Sequence, residues 1–207
     1  MLSRRVITRS GRHFRGRYPS RKLGRMVAFE SLIERDVILL LEFSTGVSFY
    51  QEQPEQVLYS NGQNMRKYYP DFLVILTSGT RIHLEVKPSA KLASPKVSSK
   101  LSLIAIHHAT FREEIFKVAT ELDARKEPLH TNLKTLSPLR ARPVIQSHEI
   151  PAYTLGNSWA QIEVVIGRAA LLKHIALGNL VCDLSMPLQG DLPIFTAKEA
   201  THDSLYI

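Results

Sequence analysis

The order of elements in this chain predicts an α/β fold, a mixed sheet flanked by helices. Three observations carry that reading. An amphipathic helical stretch near residues 29–43 precedes a set of short strands. Phe72-Leu73-Val74-Ile75-Leu76 is apolar on both faces, as a buried strand requires. A second helical stretch near 94–108 then leads into another strand, so the chain crosses back over its own sheet.

Residues 1–25 form a basic arm, expected to be flexible. Residues 1–29 hold nine Lys or Arg and no acid, whereas the remaining chain is close to neutral, so the net charge of +8 belongs to the arm. Such a segment suits phosphate contacts that are salt-sensitive and largely independent of base sequence. Arg12, Arg15, Arg17, Arg21, Lys22 and Arg25 are the candidate DNA-binding residues. A secretory signal needs an apolar core that this segment lacks. Pro19 and Gly11, Gly16 and Gly24 interrupt the amphipathic helix that a mitochondrial presequence needs.

From Phe29 to about Phe43, apolar Phe29, Leu32, Ile33, Val37, Leu40 and Leu41 recur at helical spacing. Glu34 lies largely off that stripe and could reach the metal side of the sheet. Glu30 is one turn earlier on its face, Asp36 and Glu42 are close by, and most helix acids are solvated, so the pattern alone does not single it out. Short strands are expected at Val47–Tyr50 and Gln56–Tyr59, and Asn61-Gly62 is a hairpin turn signal.

Phe72–Leu76 is followed by Thr77-Ser78-Gly79 and then by Thr80–Lys87. There Ile82, Leu84 and Val86 alternate with Arg81, His83, Glu85 and Lys87. With Gly79 as the left-handed residue of a three-residue loop, Leu76 pairs with Thr80 and Asp71 falls opposite Glu85. Facing carboxylates repel, so the pair makes sense around a cation. Asp71, Glu85, Glu34 and the Val86 carbonyl form an oxygen-rich set suited to Mg²⁺ or Mn²⁺. Such an ion polarises a phosphodiester and lowers the pKa of a water, while Lys87 positions that water or stabilises developing charge. Solvated strand-end acids and lysines are the competing explanation for this spacing. The histidines are a poor lead: His107 and His108 point to different sides of a helix, and His83, on the polar face of its strand, is expected to be solvated or to face substrate rather than to bind zinc.

After Pro88, a helix over Ser94–His108 is expected to turn Val97, Leu101, Ile104 and Ala105 inward, with a strand over Glu114–Thr120. The nuclease domain is drawn over 26–140 and a small C-terminal α/β module over 141–207. In that module Trp159–Ala176 reads as one helix stopped at Gly178-Asn179, with candidate strands Leu180–Leu184 and Leu192–Phe195. A winged-helix-like module and a docking appendage without DNA contact both fit. The single Cys182 reads as a small buried hydrophobe and excludes an intrachain disulfide. No apolar run reaches membrane-spanning length and a single cysteine suits a reducing compartment, so a soluble cytoplasmic protein is expected. No phosphate-cradling glycine loop or Ser/His/Asp signature is present.

Five ordered blocks then resemble one family. Tyr18-Pro19-Ser20-Arg21-Lys22, Phe29–Asp36, Tyr50-Gln51-Glu52-Gln53-Pro54, Tyr69-Pro70-Asp71-Phe72-Leu73 and Leu84-Glu85-Val86-Lys87-Pro88 are similar to TnsA, notably that of CRISPR-associated transposons. The resemblance covers roughly residues 15–135. It implies a restriction-endonuclease-like core and a metal-dependent DNA endonuclease subunit of a heteromeric transposase. That subunit cleaves the 5′ ends of the transposon in cut-and-paste transposition. The implied partners are double-stranded DNA at the transposon ends, the DDE transposase TnsB and the AAA+ regulator TnsC. The family's helix glutamate falls on Glu34, its strand aspartate on Asp71 and its strand lysine on Lys87. Glu85 takes a position where some relatives carry glutamine. A resolvase or restriction-type nuclease of the same fold, and a non-catalytic DNA-binding scaffold subunit, are the rival readings.

Overall fold

The computed structural model describes residues 14–141, 158–197 and 205–206. Arg12 and the remainder of residues 1–13 lie outside them. The chain divides into two compact units, residues 1–125 with 204–207, and residues 126–203.

The first unit opens with β1 (Gly16–Ser20) and β2 (Arg25–Phe29), paired antiparallel, where a flexible arm was expected through residue 25. The reason lies in the turn. Ser20 Oγ donates to buried Glu42, and the Arg21 and Lys22 amides reach the same carboxylate at 3.2 and 3.4 Å. Tyr50 adds its hydroxyl to Glu42 at 2.7 Å. A charge so buried needs several donors, and the N-terminal turn supplies most of them.

Helix α1 (Leu32–Phe43) starts at Ser31, whose hydroxyl accepts the Glu34 amide. That is the local signature of a helix N-terminus. Val37, Ile38, Leu40 and Leu41 of α1 are fully buried, and the helix packs on strands β3 (Val47–Glu52) and β7 (Arg81–Val86). Asp36, also buried, is held by Arg35 at 2.7 Å and Arg125 at 2.8 Å.

Between them come β4 (Val57–Ser60) and β5 (Met65–Tyr68), joined across Asn61-Gly62 as their own two-stranded hairpin, and β6 (Phe72–Leu76). Pro88 is followed by α2 (Ser89–Leu92), α3 (Pro95–Phe111) and β8 (Ile115–Ala119), and α4 (Glu121–Ala124) closes the unit. The central sheet has the order β3-β6-β7-β8, antiparallel except for the parallel β7–β8 pair. Mixed pairing with a helical crossover is the α/β arrangement expected. On α3, Leu101, Ile104 and His108 are buried, whereas Val97 and Ala105 are only partly covered. Ile104 packs with Val57, Tyr59 and Tyr68, which ties the β4–β5 hairpin to α3.

The second unit holds α5 (Leu129–Ala141), α6 (Trp159–Ile166), α7 (Arg168–Leu177) and a minimal ribbon of β9 (Leu180–Val181) with β10 (Phe195–Thr196). The division after Arg125 places α5 here, whereas the boundary was drawn after residue 140. One helix over Trp159–Ala176 was expected and two are found. Gly167 sits at φ +79°, a conformation that ends α6 and that side-chain-bearing residues rarely adopt. The long strands expected around Pro187 shrink to two residues each, and Leu184 and Met186 instead offer carbonyls to the Asn132 side chain, both at 2.9 Å. Trp159, Ile162, Leu133, Leu136, Leu171 and Ile194 form the apolar interior of this unit. Cys182 is buried, and burial pushes its thiol up to about 12, which suits a packing role. No helix among the described residues is long and apolar enough to cross a membrane.

Candidate active site

The site begins with a turn. Gly79 at φ +84° closes the loop, its amide donating to Leu76 O at 2.9 Å, while the Leu76 amide donates to Thr80 O at 2.9 Å. The pairing of β6 with β7 follows, with Phe72 opposite Leu84, Leu73 opposite His83 and Val74 opposite Ile82. This is the register expected from the turn chemistry. Carried one residue beyond Phe72 and Leu84, it puts Asp71 across from Glu85.

Asp71 is fixed from two sides. Its Oδ2 accepts the Val86 amide at 2.7 Å, and its carbonyl accepts the Gln53 amide at 2.9 Å. Gln53 is buried and adopts φ 45°, an unusual value for a residue with a side chain. The Tyr50–Pro54 block therefore buttresses the strand end that carries Asp71. Burial first, then the charge of Glu85 and more weakly that of Glu34, push the Asp71 carboxyl up to about 8, against the opposing pull of Lys87 and the Val86 amide.

Glu85 is held at both oxygens. Tyr68, the last residue of β5, donates its hydroxyl to Oε2, and the Lys87 ammonium lies against Oε1. Tyr68 is buried and packs edge-on against Phe116. Burial and the Glu85 charge keep its phenol protonated. Lys87 Nζ also lies 3.3 Å from the Val86 carbonyl and 3.9 Å from Asp71 Oδ2. Burial works against the ammonium, but the charges of Glu85 and Asp71 outweigh it, and Lys87 is held above its ordinary value. The ammonium thus sits where Asp71, Glu85 and the Val86 carbonyl converge, as a bound cation would.

Glu34 reaches this neighbourhood from α1. Its charge acts on both Asp71 and Lys87, and burial raises its own carboxyl despite bonds from the Glu30 amide (2.7 Å) and the Ser31 hydroxyl (3.0 Å). Glu34 therefore also caps α1, the structural duty common for an acid in a first turn. Glu30 turns to Arg15 at 3.3 Å.

The basic residues part company. Lys22 Nζ caps the Leu41, Ser44 and Val47 carbonyls, and Arg25 forms a two-pronged bond to buried Glu52 at 2.7 and 2.6 Å. Both carry structural loads that a basic-arm reading overlooks. Arg17 and Arg21 are exposed.

Two features had no strong signal in sequence. Tyr68 was visible only as part of Tyr68-Tyr69-Pro70-Asp71, with nothing to aim it at Glu85. His83, expected to be solvated or facing substrate, is wholly buried, its Nδ1 2.7 Å from Nε2 of His108. Those histidines are 25 residues apart and meet only because α3 crosses the sheet.

The donor set is chemically consistent with a hard divalent cation: carboxylates and a carbonyl, mutually repulsive, around a point already favourable to positive charge. Residues 44–121 match the family model described as TnsA-like endonuclease N terminal, a span that includes Asp71, Glu85, Val86 and Lys87 but not Glu34. The comparison with curated proteins gives no match.

Proposed function

We propose, from the premise that residues 44–121 belong to the TnsA-like endonuclease family, that this chain is the metal-dependent endonuclease subunit of a heteromeric transposase. Its reaction is hydrolysis at the 5′ ends of a transposon in double-stranded DNA. TnsB supplies 3′-end chemistry and end recognition, and TnsC couples the assembly to its target. The observation that carries the reading is Asp71 set across from Glu85 with the Lys87 ammonium at their convergence, inside the matched domain.

Asp71, Glu85, Glu34 and the Val86 carbonyl would hold Mg²⁺ or Mn²⁺. When bound, such an ion polarises the scissile phosphate and lowers the pKa of an attacking water. The protein's own contribution is positional. The Val86 amide and the Gln53 amide lock Asp71. Tyr68 locks Glu85, and Glu85 in turn orients Lys87. Because Lys87 stays protonated, its role is to stabilise negative charge building on the phosphate rather than to remove a proton. Exposed Arg17 and Arg21, with the basic residues preceding them, hold the DNA backbone.

The test is cleavage of end-containing DNA by the assembled transposase with Mg²⁺, wild type against Asp71→Ala. We expect the variant to lose 5′-end nicks while 3′ nicks by the partner persist. Undiminished 5′ cleavage by Asp71→Ala would exclude the assignment.

A further inference from the structure

We propose that His83, His108 and Glu114 form a second cation site, separate from the carboxylate set, that takes a borderline transition ion such as Zn²⁺. The three residues come from β7, α3 and the turn before β8. His83 Nδ1, His108 Nε2 and a Glu114 oxygen all lie within 4.8 Å of one another. Both imidazoles are fully buried, and the carboxylate is nearly so.

Tautomer logic aims the cluster. His108 Nδ1 is 3.0 Å from the Ile104 carbonyl, which only accepts, so Nδ1 carries the proton and Nε2 presents a lone pair. That lone pair points at His83 Nδ1, 2.7 Å away, and Glu114 Oε2 stands 3.2 Å from the same atom. Without an ion, His83 Nδ1 must supply the proton shared in this contact. His83 Nε2 is then a bare acceptor, and it is buried with no hydrogen-bond partner. An orphaned buried nitrogen is costly.

A metal on Nδ1 reverses the arrangement. The proton moves to Nε2, which faces Glu55 Oε1 at 3.8 Å. An imidazole bound to metal on one nitrogen and directed at a carboxylate from the other is the usual supporting pattern of such ligands. Ligand atoms around tetrahedral Zn²⁺ stand about 3.3 Å apart, so the histidine pair need open by only a few tenths of an ångström. The imidazoles also separate this site from the first, since Mg²⁺ prefers oxygen ligands.

Arg81 (2.7 Å) and Arg112 (2.6 Å) hold the two Glu114 oxygens, and Arg112 also meets Glu55. They offset part of the carboxylate charge but leave each oxygen a lone pair, so Glu114 serves as the third ligand beside the two imidazoles. The ion would fasten α3 to the strand that bears Glu85, two residues from His83 along the same face of β7.

The experiment is titration of the full chain with Zn²⁺ alone, in competition with a chromophoric chelator, alongside thermal unfolding. Wild type and Asp71→Asn should each bind one Zn²⁺ with equal affinity at this site and unfold at higher temperature. His108→Gln and Glu114→Gln should weaken that binding at least tenfold and lose the thermal shift. Glu114→Gln keeps an acceptor oxygen for only one of the two arginines, so its metal-free unfolding is measured beside wild type. The wild-type Zn²⁺ shift and the Asp71→Asn titration keep the test decisive where either ligand variant fails to fold. Equal Zn²⁺ affinity in wild type and Glu114→Gln, no Zn²⁺-dependent shift in wild type, or loss of this binding in Asp71→Asn would overturn the proposal.

Discussion

At the scale of single residues, the proposed site trades stability for chemistry. The Asp71 carboxyl is raised from its ordinary value to about 8 by burial and by Glu85. An acid raised in the folded state contributes its full stability only below its unfolded value of about 4 and loses it as pH climbs toward the folded value. Metal-free protein should therefore become less heat-stable from pH 5 to pH 8. Mg²⁺ should restore stability at the upper end. Asp71→Asn, which keeps the bond from Val86 but removes the charge, should flatten this dependence while losing cleavage. Thermal unfolding across pH, with and without Mg²⁺, measures both effects, and an unchanged slope in Asp71→Asn would refute the electrostatic account. Tyr68→Phe removes one hydroxyl and keeps the packing on Phe116. With Glu85 less firmly held, 5′ cleavage should fall about tenfold or more, and stability by about 2 kcal/mol. Single-turnover cleavage beside denaturant unfolding separates these quantities.

At the scale of elements, the N-terminal segment has a structural job beside the DNA-contacting job proposed for it, and sequence merges the two. The β1–β2 hairpin is joined to the core through Ser20, Lys22 and Arg25, while Arg17 and Arg21 remain exposed. Removing residues 1–13 should weaken DNA binding and flatten its salt dependence, with the fold intact. Removing residues 1–25 should also destabilise the core, because α1 loses the Lys22 cap and Glu42 loses three donors. Lys22→Met should isolate the structural part. Its unfolding free energy should drop by about 1–3 kcal/mol, while DNA affinity changes little. Filter binding over a salt series and chemical denaturation of the three variants distinguish the two jobs, and a large affinity loss in Lys22→Met would show that this lysine faces DNA instead.

At the scale of the whole molecule, charge is concentrated in the first 29 residues and the remaining chain carries 18 basic and 19 acidic residues. Such a distribution favours backbone attraction over base reading. The chain alone should bind end and non-end DNA with similar affinity and cut specific ends poorly, and addition of TnsB should bring end-specific 5′ nicks. Efficient end-specific cutting by the chain alone, measured on mapped substrates, would contradict the division of labour.

What the sequence by itself determined is whatever short-range chemistry decides. Gly79 three residues after Leu76 sets a turn, the turn sets the strand register, and period-two alternation then places Asp71 and Glu85 on one face. Ser31 and the apolar spacing behind it likewise set the start and the buried stripe of α1. Interior turn glycines are harder to read, and the break at Gly167 passed unseen because helical spacing continues on either side of it. Only the tertiary structure decided that Tyr68 anchors Glu85, that Lys22 caps α1 rather than standing free, and that His83 meets His108. These contacts join residues 17 to 25 positions apart. Their geometry depends on how the β4–β5 hairpin, the N-terminal turn and α3 each settle on the sheet. That packing minimises the free energy of the entire unit, and no local period in the chain records it.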